Sequence, residues 1–173
     1  MSFTKSRLFA VRADRAPRPG DIVLFTDALG LTRIIPWFTG SRYYHCAVYE
    51  GDGWVLESRP QGVVRRNIAL EPDNVIRVIP MPSEGSDRAL EYCRCCLGKR
   101  YDILDVVFIV LRHSFPTIRL PYSSDDALVC SELVVRAWRA GGVDLFPGLE
   151  AALIIPGDFQ GFLPVDSEDF CFL

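Results

Sequence analysis

The sequence predicts an α+β fold, in which the first half of the chain forms one sheet and the second half supplies helices that pack on it. Short β-rich runs separated by turn residues extend to about residue 80, and helix-favouring stretches follow from residue 83. The chain has 173 residues, of which 49% are hydrophobic and 24% are charged. This length and composition predict a single compact domain over 1–173.

Turn residues divide the first half into runs that are typical of strands. After "PRPG", the run "DIVLF" predicts a strand at 21–26. The stretch "HCAVYEGDGWVLESR" is the clearest hairpin, with strands at 44–50 and 54–59 joined across Gly-Asp-Gly. "VVRRNIAL" and "NVIRVIPM" predict further strands, the second at 75–80. Because hairpins and short connections dominate this half, the sheet should be mainly antiparallel.

Three stretches of the second half predict helices. "SEGSDRALEYCRCCLG" has a Ser or Asp cap, a helix-favouring body and a terminal glycine, so we expect a helix at about 86–97. A second helix is expected at 102–112. The third begins either near Cys130 or as early as Ser124, and it ends at the next Gly-Gly pair. The proline-containing tail from Asp144 should wrap over the surface with little regular structure.

Charge, hydropathy and cysteine usage exclude several classes of protein. A formal net charge of −3 provides no basic field, so we expect no nucleic-acid partner. The N-terminal apolar run is too short for a signal peptide, and "ILDVVFIVL" at 103–111 is about half the length that crosses a bilayer. These features predict a cytoplasmic protein without a transmembrane segment. The six cysteines should be free thiols, because "CRCC" lies in a predicted helix and no secretory signal accompanies it.

A metal site and a cofactor are both unexpected. The chain has only two histidines, His45 and His113. His45 and Cys46 are neighbours on a predicted strand, so their side chains leave on opposite faces and should not converge on a metal. No motif indicates a cofactor.

Cys130 stands at the head of an apolar helix, where a cysteine has two interpretations. It is either a small core hydrophobe or a thiol that the positive end of the helix dipole favours as a thiolate. A thiol nucleophile needs a base, and the base needs a third group to orient it. His45 is the histidine that has an acidic partner, Glu57, at plausible strand spacing. The helix should pack one apolar face on the sheet, formed by Leu133, Val134, Ala137 and Trp138.

The hairpin turn decides whether Glu57 can reach His45. Alternation places His45, Ala47 and Tyr49 on one face of the strand, and Cys46, Val48 and Glu50 on the other. A three-residue Gly51-Asp52-Gly53 loop would put Glu57 on the His45 face, at a diagonal position. A two-residue Asp-Gly turn would put it on the opposite face. The sequence therefore allows a His-Glu pair without requiring it.

The ordered motifs resemble the YiiX/YebB-like proteins, the circularly permuted branch of the NlpC-type, papain-like cysteine hydrolase superfamily. The matching pieces are "GDIVLF", "HCAVYEGDGWVLES", "GKRYD", "VCSELVVRAW" and "IIPGDF", which run in the expected order from residue 19 to about 159. The resemblance implies a circularly permuted papain-like fold in which the histidine precedes the cysteine. It also implies Cys130 as nucleophile, His45 as base and Glu57 as orienting residue of a hydrolase that cleaves an amide, peptide-like bond.

The motif order is also similar to that of the lecithin retinol acyltransferase relatives, which transfer acyl groups from lipids. Those proteins carry an asparagine before the cysteine and usually a second histidine at the position of the acid. This chain has Val129 and Glu57 there. A long apolar groove lined by 103–111 and by Trp37 or Phe38 would favour this second function.

A ligand-binding module without turnover is the third hypothesis, since a fold does not fix a function. Such a site should show Cys130 shielded from solvent or His45 pointing away. If the chain is an enzyme, the backbone N–H of Cys130 is the first candidate for binding the oxyanion, and Tyr122 or Tyr101 is a candidate side-chain donor to the substrate. The expected partner is a substrate with a peptide or lipid-like amide or ester group.

Overall fold

The computed structural model describes residues 16–26, 41–70, 76–100 and 128–163. The helix expected at 102–112 lies outside these segments. None of the helices in these four segments has the length and apolar character needed to span a bilayer.

The first half of the chain forms one five-stranded sheet in which every neighbouring pair is antiparallel. The spatial order is β4-β3-β2-β1-β5. The α+β class and the antiparallel sheet are thereby confirmed, and each predicted strand agrees with an observed strand to within a few residues. The strands are β1 (Ile22–Phe25), β2 (His45–Gly51), β3 (Trp54–Arg59), β4 (Gly62–Asn67) and β5 (Ile76–Ile79).

The β2–β3 hairpin combines the two turns that the sequence allowed. Asp52 and Gly53 form a two-residue turn with φ of 49° and 77°, the positive values that a type I′ turn needs. Gly51 pairs with Trp54, and a bulge between Tyr49 and Gly51 then shifts the register. The expectation that a two-residue turn would put Glu57 on the far face is wrong, because the bulge takes up one residue.

Within the described residues, two α-helices follow the sheet. Helix α1 (Ser86–Cys95) has Gly85 as N-cap, not the expected Ser or Asp. A side chain at Gly85 would place its Cβ 2.1 Å from the carbonyl oxygen of Gly141, so the close approach of the two chain segments requires glycine. Helix α2 (Cys130–Ala140) begins at the cysteine, six residues after Ser124.

The core lies between the sheet and the two helices. The α2 face predicted to be buried is fully buried, with Leu133, Val134, Ala137 and Trp138 each 0% exposed. It packs in one cluster with sheet residues that include Ile22, Leu24, Cys46, Val48 and Leu56. Each large apolar side chain buried in this way contributes roughly 1.5–3 kcal/mol. A smaller cluster covers the other sheet face and contains Val23, Phe25, Ala47, Tyr49, Val55, Ile68 and Ile76.

The tail from Asp144 is more regular than predicted. It forms two 3-10 segments, Ala151–Leu153 and Pro156–Phe162. Phe159 is fully buried and contacts Phe146 edge to face, so the tail supplies part of the core. The prediction that the segment from Asp144 would lie on the surface with little regular structure was wrong. Its prolines interrupt an α-helix, but they do not prevent the segment from being buried.

Candidate active site

The first turn of α2 is tied to the sheet and to the tail by buried hydroxyl groups. Ser58 Oγ, on β3, donates to the carbonyl of Leu128 at 2.5 Å. Ser131 Oγ donates to the carbonyl of Ile154. Both hydroxyls are buried, so they hold Cys130 at a fixed place beside the sheet. As the first residue of the helix, Cys130 has a backbone N–H without a partner inside α2.

Glu132, the other polar residue of this turn, has a structural partner. Its buried carboxylate lies 2.8 Å from Arg136 Nη2, one helical turn away. Arg136 also hydrogen-bonds Tyr92 of α1. Glu132 and Arg136 can pair because positions i and i+4 share a helix face. Through Arg136 and Tyr92, this pair also joins α2 to α1.

His45 opens β2 and is held between an acid and aromatic rings. Its Nε2 lies 2.7 Å from Glu57 Oε2, and its side chain is 13% exposed. Its ring centroid lies 5.3 Å from that of Phe25 and 6.2 Å from that of Tyr44. The pKa of the ring is also coupled to that of Cys130. Because Glu57 occupies Nε2, Nδ1 is the nitrogen left for the thiol, an arrangement that fixes the tautomer.

Glu57 is a fully buried carboxylate that lies among cations. Arg66, on β4, donates to it through Nε and through Nη2, the latter at 3.1 Å. Arg59 Nη1 lies 3.5 Å away. Burial by itself raises the pKa of a carboxyl group, but the hydrogen bonds and charges of His45 and Arg66 outweigh burial and lower the pKa of Glu57 to about 2. The orienting group is therefore ionised at neutral pH.

The cysteine and the histidine form a coupled pair. Burial disfavours the charged form of His45, yet the charge of Cys130 and hydrogen bonds to Cys130 and Glu57 outweigh it and raise the pKa of His45 to about 9. A hydrogen bond from the Cys46 thiol, followed by the charge of His45, holds the pKa of Cys130 well below its usual value despite burial. Both shifts favour the same charge state, a thiolate beside an imidazolium.

Cys46 is a further member of this cluster that the sequence did not predict. It points to the α2 side of the sheet, opposite to His45, as alternation requires. The predicted placement of the two side chains on opposite faces is confirmed, and the electrostatics of Cys130 couple to both residues. Helix α2 contacts β2, the strand that His45 opens.

Three of the predicted site residues come together: Cys130, His45 and Glu57. Tyr101 and Tyr122 lie outside the described residues, as do 103–111, Trp37 and Phe38, which were to line the apolar groove. Of the two features expected of a site without turnover, the His45 ring does not turn away, whereas Cys130 is only 6% exposed.

Arg66 is the second residue of the site that sequence reasoning missed, although a signal for it exists. In the β3–β4 hairpin, Glu57 pairs with Val64 and Val55 pairs with Arg66. Arg66 is therefore the diagonal neighbour of Glu57 on the same sheet face. Extending the alternation from "WVLES" to "VVRRN" would have placed this cation beside the acid.

The described part of the chain is similar in fold to a solved protein. Its neighbour is the metalloprotein yiiX from Escherichia coli O157:H7, with a TM-score of 0.54 and 22% sequence identity over 75% of this chain and 69% of that chain. No family model matches the sequence, and neither does any curated protein. The comparison shows a YiiX-like α+β fold.

Proposed function

We propose that this chain is a cysteine hydrolase that cleaves an amide, peptide-like bond at a Cys130–His45–Glu57 site. The observation that carries the proposal is the 2.7 Å contact between His45 Nε2 and the buried carboxylate of Glu57, in a ring whose pKa is coupled to that of Cys130 at the start of α2. Acyl transfer by a thiol requires three groups: a nucleophile, a base that exchanges a proton with it, and a group that orients the base.

The reaction follows from the charges of the resting site. The Cys130 thiolate attacks the substrate carbonyl, and the oxyanion is stabilised by the backbone N–H of Cys130 at the helix N-terminus. His45, already protonated, gives its proton to the leaving amine as the C–N bond breaks. Water then attacks the acyl-enzyme while His45 accepts a water proton, and the thiolate departs.

The family part of the proposal is that the fold is a circularly permuted papain-like fold of the NlpC type. The likeness to yiiX supports the YiiX-like part of this assignment. The order of His45, Glu57 and Cys130 along the chain supports the permutation, because the base precedes the nucleophile.

The neighbour yiiX is a metalloprotein, and the donors of this site do not match a metal centre. Within the four described segments, no group of three or more His, Cys, Asp or Glu side chains is arranged to hold a metal ion. The His45 ring contacts Glu57 and Cys130, and Glu57 is neutralised by Arg66. These donors therefore do not fit a metal ion.

The test is a panel of amide and thioester substrates with a thiol-directed activity probe, applied to the native protein, Cys130→Ala, His45→Ala and Glu57→Gln. The proposal predicts amide cleavage, a covalent acyl group on Cys130 and loss of both in Cys130→Ala. Glu57→Gln should keep the fold and turn over more slowly, and His45→Ala should be slower still. Native turnover by Cys130→Ala would overturn the assignment, and acyl transfer from lipid esters without amide cleavage would favour the acyltransferase function.

A further inference from the structure

Four neighbouring strands each contribute one side chain to a layer on one face of the sheet. These side chains are Arg66 of β4, Glu57 of β3, His45 of β2 and Phe25 of β1. Phe25 and His45 are partners in the β1–β2 pair, and Arg66 is the diagonal neighbour of Glu57. In strand order, the histidine and its acid therefore lie between an arginine and an aromatic ring.

Arg66 binds both oxygen atoms of the Glu57 carboxylate. Its Nε donates to Oε1, and its Nη2 donates to Oε2 at 3.1 Å. The same Oε2 lies 2.7 Å from Nε2 of His45. A guanidinium that donates through two N–H groups fixes the plane of a carboxylate, which a single contact does not do. The two N–H groups of Arg66 therefore determine which oxygen of Glu57 faces His45.

The ring of Phe25 contacts both ends of this arrangement. Its centroid lies 5.3 Å from Cζ of Arg66 and 5.3 Å from the ring centroid of His45. A guanidinium over an aromatic ring is attracted to it, and Phe25 is itself held in the core, where it is 1% exposed. The Arg66 side chain is also mostly covered, with 15% exposed. His45, Glu57, Arg66 and Phe25 thus form a closed loop of contacts.

We propose that Arg66 is a positioning residue of the site: its guanidinium fixes the Glu57 carboxylate so that Oε2 stays on Nε2 of His45. The inference rests on the proposed function and adds a fourth residue to the Cys130–His45–Glu57 site. Arg66 touches no reacting atom in this reaction, and its effect passes through Glu57. Without Arg66, the carboxylate would rotate about its terminal torsion, which has only a broad preference, and His45 would lose the contact that orients its ring.

Arg59 also approaches Glu57, but its contact is of a different kind. Its Nη1 lies 3.5 Å from Oε1, at the limit of a hydrogen bond, and its side chain is 42% exposed. An exposed cation at this distance is screened by water and does not hold a fixed geometry. Burial raises the pKa of Glu57, and the hydrogen bonds and charges of His45 and Arg66 lower it to about 2. The role is therefore assigned to Arg66 and not to Arg59.

The first experiment is a double-mutant cycle on amide cleavage by the full chain, with the native protein, Arg66→Met, Glu57→Gln and the double variant. Arg66→Met should lower kcat about 10- to 100-fold with little change in KM, because a misplacement of about 1 Å costs up to about 10²-fold. In the Glu57→Gln background, Arg66→Met should have no further effect on kcat, because Arg66 acts through the carboxylate. Arg66→Lys should recover only part of the loss, since an ammonium group keeps the charge but not the two fixed N–H donors.

Two other arginines serve as matched controls. Arg65 is the neighbour of Arg66 on β4, but it pairs with Leu56 on the other sheet face, binds Glu50 and is 46% exposed. Arg65→Met should leave kcat unchanged. Arg59→Met should lower kcat less than Arg66→Met does, although both arginines lie beside Glu57.

The second experiment records the NMR signal of the His45 Nε2–H group in protein labelled with 15N-histidine, without any substrate. The signal is assigned by its loss in His45→Gln. The native protein and Arg65→Met should both show it, because Glu57 holds the proton on Nε2. In Arg66→Met the signal should broaden or disappear as the carboxylate turns away.

The inference is overturned if Arg66→Met cleaves amides at the native rate, if Arg66→Lys does so, or if Arg59→Met loses as much activity as Arg66→Met. It is also overturned if Arg66→Met causes equal losses in the native and Glu57→Gln backgrounds, which is the result of a merely structural role. If Arg66→Met does not fold, Arg66→Lys and the double variant carry the test, because the double variant leaves no unpaired charge from this ion pair. An inactive native protein would fail the proposed function, whereas an unchanged His45 signal in Arg66→Met would fail this inference, so the two failures are distinguishable.

Discussion

Replacing Glu57 with Gln should destabilise the protein in a manner that depends on pH. The carboxylate is fully buried, and its contacts with His45 and Arg66 lower the pKa of Glu57 from 4.5 to about 2. A shift of about 2.5 units corresponds to about 3 kcal/mol of stability. Because the folded-state pKa is depressed, this stability is present above pH 4.5 and is lost as pH falls towards 2.

The assay is urea unfolding of the native protein and of Glu57→Gln at a series of pH values between about 3 and 7. At pH 7 the variant should be less stable by about 3 kcal/mol, and the difference should shrink as the pH falls below 4.5. Glu50→Gln is the matched control, because Glu50 also pairs with two arginines, Arg65 and Arg94, whose side chains are 46% and 50% exposed. Its cost should be about 0–1 kcal/mol. A Glu57→Gln cost that is equally small, or that does not change with pH, would refute the account of this carboxylate.

Three further predictions concern the site and the core. His45→Ala should lower turnover about 10²- to 10⁴-fold. Turnover of the native protein should fall as pH rises through about 9, because the imidazolium that protonates the leaving amine is lost there. An alkaline pH profile without this fall would exclude His45 as the acid. Brief iodoacetamide treatment of folded protein should label Cys130 before Cys93 or Cys96, because the thiolate is the reactive form. Mass-spectrometric mapping that finds Cys130 unmodified would contradict this prediction. Leu133→Ala should cost about 2–5 kcal/mol in urea unfolding, whereas Leu70→Ala, at a residue 78% exposed, should cost little, and equal costs would contradict the packing of α2.

The sequence predicted the strands well because their signals are local. The runs at "DIVLF" and "HCAVYEGDGWVLESR" alternate or are continuously apolar, and turn residues bound them on both sides. The register of the hairpin was not predictable from loop length alone. A bulge at Glu50 reconciles a two-residue turn with a His45–Glu57 pair, and nothing in the local sequence distinguishes a bulge from a longer loop.

The site was predictable in its principal residues but not in its surroundings. Cys130, His45 and Glu57 followed from residue type, spacing and motif order. The coupling between Cys46 and Cys130 depends on where a helix terminus meets a strand more than eighty residues away, which local sequence does not determine. Arg66 depends on the register of a second hairpin, and the start of α2 at Cys130 depends on tertiary anchors such as Ser131.

The charge state of Cys130 is central to the proposed reaction, and thiolate absorbance in the ultraviolet measures that charge directly. The difference in absorbance between the native protein and Cys130→Ser should be followed as a function of pH. The account predicts a thiolate signal that is already present at neutral pH, with a midpoint well below the ordinary cysteine value of 9.0, and a midpoint that moves up in His45→Gln. A Cys130 thiolate that forms only at pH 9 or above, or a midpoint that is unchanged in His45→Gln, would contradict it.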